Sequence, residues 1–424
     1  MLVEEKLAIK PTTKRDFGLV MVPGSKSITN RALLLAAMAK GTSKLTGVLF
    51  SDDSRGFLEC LAGLGYDLAV DESGKSVIVT GGAPLENAEI NVRSAGTAAR
   101  FLPAFLSTQK GTFTMNASQQ MMKRPMAPLL NALQTLGATI DFAGKDGYYP
   151  FELTGGHLEG GHVQLDASLS SQFLSALLMT GGLYEKGLEI ETVGKKLAPA
   201  YIELTLQMMR DFGGIVEVSG NSYQIPAGNT YTARDYTIEP DISAACYFYA
   251  LAALHGGSVT VKGAHLDASQ GDIQFLQVLV KMGCEIEETP DGMRLTGPEK
   301  LSGINIDMGD MSDQTMTLAA IAPFANSPTR ITGIEHIRNQ ESDRLQAILN
   351  ELTRLGVTCD YTDGVLTIEP GKPRPCEIET YHDHRMAMSF SLIGTMVPGI
   401  VIKDPACVGK TFEDYFETLQ EVAY

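Results

Sequence analysis

The chain has 424 residues, 44% of them hydrophobic and 20% charged, and a formal net charge of −16. That length predicts two domains rather than one core, and the acidic balance argues against nucleic acid or an anionic membrane as partner. No apolar run is long enough to span a bilayer, and the absence of a signal peptide makes a cytoplasmic location the expectation. The six cysteines (Cys60, Cys246, Cys284, Cys359, Cys376, Cys407) lack disulfide or metal spacing and read as reduced, and the seven histidines show no zinc pattern.

In chain order, Leu7–Ile9 and Leu19–Val22 read as short strands. Pro23-Gly24-Ser25-Lys26-Ser27-Ile28-Thr29-Asn30-Arg31 then places two cations and three hydroxyls ahead of the apolar run Ala32–Ala39. A Pro-Gly turn feeding a helix aims free N–H groups and the positive dipole end at one spot, which makes a seat for phosphate or carboxylate. It is not a Walker loop, since no glycine stands at the required upstream spacing, and a capped surface helix is the plainer alternative.

Alanine-rich helical segments recur at Ala32–Ala39, Ala98–Leu106, Gln172–Met179, Ala244–Leu254, Met316–Pro323 and Met386–Met396. They start about 70 residues apart, the signature of internal duplication. Each is followed by a β-rich run such as Ser258–Val261 or Thr329–Thr332, then by an amphipathic helix. Five of these second helices close on a glycine (Gly65, Gly137, Gly213, Gly283, Gly356), where a left-handed cap is favoured. Two short strands end the unit, as in Val77–Thr80 or Val365–Ile368. The sixth copy stops after the helix Phe412–Val422, and the strands Leu7–Ile9 and Leu19–Val22 are expected to complete it. Three repeats per domain give two similar α/β domains, residues 21–239 and residues 1–20 plus 240–424.

Polar residues cluster at the same place in five repeats, at the head of the apolar helix. The clusters are Lys26, Ser27 and Arg31; Ser94-Ala95-Gly96-Thr97 with Arg100; Ser168, Ser170, Ser171 and Gln172; Asp310 and Asp313; and Asp383, His384 and Arg385. One such cluster is an N-cap; several in register favour a site. Lys123-Arg124-Pro125-Met126 and Arg338–Arg344 add arginines suited to bidentate contact with carboxylate or phosphate, with local ion pairing as the simpler alternative.

Taken in order, PGSKSITNRA, AGTAARF, KRPM, SLSSQFLSALL, DQTMT, ESDRL, YHDHRMAMSFSL and GKTFEDYF closely resemble the 5-enolpyruvylshikimate-3-phosphate synthase family over nearly the whole chain. The resemblance implies two domains, each of three βαβαββ-type units in an inside-out α/β barrel, with the active site in the cleft between them. It implies a monomer that needs no metal or organic cofactor. Its substrates would be phosphoenolpyruvate and shikimate 3-phosphate, with glyphosate as an inhibitor at the phosphoenolpyruvate site. By resemblance, Lys26, Gly96, Arg124, Gln172, Arg344, Arg385 and Lys410 would bind phosphoenolpyruvate. Lys26, Ser27, Arg31, Ser170, Ser171, Gln172, Tyr201, Asp313 and Gln340 would bind shikimate 3-phosphate. Asp313 matches the family's base, Glu341 its proton donor to carbon, and Lys26 the group that steadies departing phosphate.

Five positions depart from the family's common pattern: Ser94 for asparagine, Phe101 for proline, Ala198 for serine, His336 for asparagine and Gln340 for lysine. Gln340 removes a cation beside the reacting hydroxyl, and His336 is a candidate to replace it. Ser94, Phe101 and Gln340 together motivate an expectation of altered glyphosate sensitivity. Two alternatives remain open. A transferase acting on UDP-N-acetylglucosamine usually carries a loop cysteine, and none falls between Cys60 and Cys246 here. An inactive anion-binding paralogue has no need of both Asp313 and Glu341.

Overall fold

The structure is a computed structural model that describes residues 5–194 and 199–424, so Ala198 lies outside the described residues. Within them are twelve α-helices: α1 (Lys26–Met38), α2 (Asp52–Gly63), α3 (Gly96–Ser107), α4 (Ala127–Thr135), α5 (Ser171–Thr180), α6 (Pro199–Asp211), α7 (Ile242–His255), α8 (Phe275–Lys281), α9 (Thr315–Ile321), α10 (Arg344–Arg354), α11 (His384–Gly394) and α12 (Tyr415–Ala423). The chain forms two compact units, one of Gly24–Ile238 and the other of the residues before Gly24 joined to Glu239–Tyr424.

The second repeat shows the unit in full. The strand Asn87–Asn91 leads into α3, and Gly111–Asn116 returns parallel to it. After α4, the hairpin Thr139–Phe142 and Phe151–Gly155 adds antiparallel strands. This is a βαβαββ unit, and the third and fifth repeats build their four-stranded sheets in the same order. Strand alternation sets the inner face, as with Val77 and Val79 buried on either side of exposed Ile78.

α1, α3 and α5 are the interior helices of one unit, and α7, α9 and α11 those of the other. Their sequences explain the placement: a helix apolar on all sides has no face to give to water. In α7 every residue from Ala244 to Leu254 is buried, and in α1 every residue from Ile28 to Ala37. Each unit therefore has its own core. The five glycines that close the second helices all take positive φ, from 77° at Gly356 to 108° at Gly137 and Gly283, as expected of left-handed caps.

Three sequence expectations need correction. The N-terminal strands go to different sheets: Lys6–Ala8 pairs with Val401–Lys403 in the sixth repeat, but Asp16–Val20 joins Ser258–Lys262 in the fourth. The reason is that the strand preceding α7, Asp235–Thr237, is committed to the first repeat beside Thr42–Thr46, which leaves the fourth sheet open to another parallel partner. Secondly, the helix is longer than the apolar run Ala32–Ala39: α1 begins at Lys26, with Ser25 as its cap, so Lys26, Ser27 and Arg31 lie in its first turns. Thirdly, the apolar segment Met316–Pro323 is not one helix. α9 ends at Ile321 and a 3-10 turn, Ala322–Phe324, takes over with Pro323 inside it.

The cysteines are free thiols, with Cys60, Cys246 and Cys284 buried. Among the described residues no helix is long and apolar enough to cross a membrane.

Candidate active site

In the unit Gly24–Ile238 the heads of the interior helices carry the polar side chains. Ser25 caps α1 by accepting from Ile28 N, and Ser170 caps α5 by accepting from Gln172 N at 3.2 Å. Asn30 Nδ2 donates to Thr97 Oγ1 at 2.6 Å, which ties α1 to α3. Gly96, the first residue of α3, has the Arg124 guanidinium, the Arg100 guanidinium and Gln172 Oε1 around its Cα. A Cβ built there would meet them at 3.2, 3.5 and 3.5 Å. The absent side chain thus leaves room for a ligand atom between two arginines and an amide. Gln172 Oε1 is buried and has no hydrogen-bond partner among the described residues. Lys26 Nζ lies 3.5 Å from the nearly buried Asp53 carboxylate.

Arg31 is placed differently from its neighbours. It is 1% exposed, and it donates to Thr205 Oγ1 (2.8 Å), Ser27 O (3.0 Å), Ser175 Oγ and Tyr201 O (both 3.3 Å). Its guanidinium stands 5.4 Å from the centre of the Phe101 ring. Burial pushes its pKa down to about 10, partly opposed by Tyr201. Phe101, one of the departures from the family pattern, is therefore the buried ring that faces Arg31, an attraction between cation and aromatic quadrupole. Ser94, another departure, shares a 2.7 Å hydrogen bond with Ser118.

In the other unit the charges form one cluster around Arg344, the first residue of α10 and 1% exposed. Its Nε donates to Asp383 Oδ2 at 2.8 Å and its NH2 to Asp383 Oδ1 at 3.2 Å. NH2 also pairs with Glu341 Oε2 at 2.9 Å, while NH1 serves Asp313 Oδ1 at 2.9 Å and Gln340 Oε1. Four hydrogen bonds and the Glu341 ion pair thereby surround the guanidinium. Burial disfavours the cation, but Asp383, Glu341 and Asp313 outweigh it and hold Arg344 charged well beyond the ordinary range. Asp313 is gripped from its other side by Arg385 NH2 at 2.8 Å. Lys410, itself buried, ends the 3-10 turn Pro405–Lys410, which packs on α11.

Asp383 is the residue that sequence reasoning undervalued. It was visible as an N-cap, and it does cap α11 by accepting from Arg385 N at 3.0 Å. The same fully buried carboxylate also holds Arg344 at two points and accepts from Ser342 Oγ at 2.9 Å. His336, the candidate substitute cation, shares a 2.8 Å hydrogen bond with Ser312, next to Asp313.

The sequence matches the model of the EPSP synthase (3-phosphoshikimate 1-carboxyvinyltransferase) family over residues 12–419. The chain belongs to that family. It is 46% identical over 401 residues to a 3-phosphoshikimate 1-carboxyvinyltransferase of Nostoc punctiforme, covering 94% of each chain. To a 3-phosphoshikimate 1-carboxyvinyltransferase 2 of Halalkalibacterium halodurans it is 42% identical, covering 97% of this chain and 93% of the relative. Among solved structures, an EPSP synthase of Acinetobacter baumannii superposes with a TM-score of 0.83 at 27% identity, covering 99% of this chain and 98% of that one.

Proposed function

We propose that this EPSP synthase family member transfers the enolpyruvyl group of phosphoenolpyruvate to the 5-hydroxyl of shikimate 3-phosphate and releases inorganic phosphate. The observation that carries the catalytic part of this reading is Asp313 held between Arg344 and Arg385, with Glu341 on the same Arg344. Two carboxyl groups fixed by one guanidinium supply the two proton-transfer roles the reaction requires.

Asp313 takes the hydroxyl proton as the hydroxyl oxygen bonds to the central carbon of phosphoenolpyruvate, and Glu341 gives a proton to the methylene carbon. In the second step the bond to phosphate breaks and the same carbon gives its proton back, which restores the double bond. Lys26 steadies the departing phosphate. Arg344 is already surrounded by acceptors, so a substrate carboxylate binds there by exchange with one of them. Asp383 is buried and held by its cap and by Ser342, which leaves Glu341 and Gln340 as the groups that yield. Leaving Arg344 frees Glu341 to act as an acid.

Phosphoenolpyruvate draws on Lys26, Gly96, Arg124, Gln172, Arg344, Arg385 and Lys410. Shikimate 3-phosphate draws on Lys26, Ser27, Ser170, Ser171, Gln172 and Tyr201, with Asp313 and Gln340 at the reacting hydroxyl. Arg31 serves it through Tyr201, whose backbone carbonyl it holds. Glyphosate competes with phosphoenolpyruvate, and Phe101, Ser94 and Gln340 alter its potency. The enzyme works as a cytoplasmic monomer. Replacing Asp313 by Asn and Glu341 by Gln tests the roles: turnover falls by about a hundredfold or more in each while phosphoenolpyruvate still binds. Retained turnover in both would overturn the assignment.

A further inference from the structure

Behind Asp313 lies a second carboxyl group, Asp272, in the 3-10 turn Gly271–Gln274 and 3% exposed. Its Oδ2 accepts from Gln314 Nε2 at 2.9 Å and from the Ser243 hydroxyl at the head of α7. Gln314 follows Asp313 directly and closes the turn Gly309–Gln314 that carries it, a turn whose Met311 is not helical. Thr317 Oγ1 donates to Gln314 Oε1 at 3.1 Å. Its one hydroxyl proton being used, Thr317 accepts from Ser389 Oγ at 3.2 Å.

The hydrogen bonds therefore run one way: from Ser389 on α11 through Thr317 on α9 to Gln314, and finally to Asp272. An acceptor must end such a chain, and the Asp272 carboxylate is the nearer of two that Gln314 Nε2 meets, the Ser243 backbone carbonyl lying at 3.5 Å. α11 begins beside Arg385, so both Asp313 and its partner Arg385 are carried by elements that this chain joins. Asp272 is an expensive choice for mere packing. Burial, reinforced by the like charge of Asp313, raises its proton affinity above the usual carboxylate range, with Arg385, Ser243 and Gln314 opposing.

We propose that Asp272 is a positioning residue for Asp313: it anchors Gln314 and so fixes the turn that presents the Asp313 carboxylate to Arg344 and Arg385. This rests on Asp313 being the base. Asp272 touches no substrate and acts only through the turn.

The test compares kcat, KM for phosphoenolpyruvate and Tm in Asp272→Ala, Asp272→Asn, Gln314→Leu and Asp313→Asn enzymes. Misplacing a reacting group slows the chemical step more than binding, so Asp272→Ala lowers kcat at least about tenfold while KM moves less than about threefold. In Asp272→Asn the side-chain oxygen still accepts both bonds, and kcat recovers to within about threefold of the parent. Gln314→Leu cuts the chain with Asp272 intact and reproduces the kcat loss, which keeps the proposal testable where Asp272→Ala fails to fold. A purely structural Asp272 lowers Tm and leaves kcat of the folded enzyme unchanged, and that result overturns the proposal. Asp313→Asn separates the two ideas. If it is inactive while Asp272→Ala and Gln314→Leu turn over normally, the positioning role fails; if Asp313→Asn keeps parental kcat, the base assignment fails.

Discussion

Asp383→Ala is the substitution whose effect the structure constrains most closely. The side chain is fully buried and carries two functions: the cap of α11 and the two-point grip on Arg344. Breaking a buried ion pair by removing one partner costs about 3–5 kcal/mol, because the other charge stays behind without it. Loss of an Asp cap adds about 1 kcal/mol. Together, about 4–6 kcal/mol in a unit of this size lowers Tm by roughly 8–24 °C. Arg344 keeps Asp313 and Glu341 but loses the acceptor that fixes its plane, so KM for phosphoenolpyruvate rises about tenfold. In Asp383→Asn the one amide oxygen retains the cap, while an NH2 donor replaces the oxygen that accepts from Ser342 and Arg344 Nε, and its Tm falls between those of the parent and the alanine variant. Scanning calorimetry of the three proteins, with steady-state kinetics below the transitions, makes the comparison. An Asp383→Ala protein within about 3 °C of the parent and with unchanged KM would refute the claim that Asp383 sets Arg344.

A Gly96→Ala side chain meets only the ends of Arg124, Arg100 and Gln172, so Tm stays within about 2 °C while KM for phosphoenolpyruvate rises about tenfold, measured by steady-state kinetics. Gln340→Lys removes an acceptor from Arg344 and adds a like charge. Tm falls by a few degrees for a loss of about 1 kcal/mol, and KM for shikimate 3-phosphate drops as the cation returns beside its hydroxyl. His255, bonded to Thr395 at 2.8 Å, is pushed down to about 4 by burial and by Arg15. The unfolded chain protonates near 6.5 and the folded chain not until about 4, so this contribution is full above pH 6.5 and declines as pH falls toward 4. Urea midpoints for parent and His255→Gln across that window should converge as the pH is lowered.

The repeat was legible because it is written in periodicity: apolar helices, glycine caps and strand pairs recur at fixed spacing, and each has a local physical cause. Which sheet receives a given strand was not legible, since Asp16–Val20 and Asp235–Thr237 are exchanged over long sequence separations that no local pattern records. At the site, residue type announced Lys26, Arg124, Arg344 and Arg385 as anion-binding candidates. It did not announce how Arg344 shares its N–H groups among Asp313, Glu341, Asp383 and Gln340, because that depends on three turns converging. Arg31 looked like its neighbours in sequence, yet helical phase turns it toward Thr205 and Ser175 inside the unit. Asp272 carried no motif and Gln314 no role within DQTMT, and both became visible only as the end of a hydrogen-bond chain.

The measurement that bears most directly on the central claim is release of inorganic phosphate from phosphoenolpyruvate, with shikimate 3-phosphate and UDP-N-acetylglucosamine supplied separately as acceptors. The expected result is release with shikimate 3-phosphate alone. Folded protein that binds phosphoenolpyruvate yet releases no phosphate with shikimate 3-phosphate would contradict it.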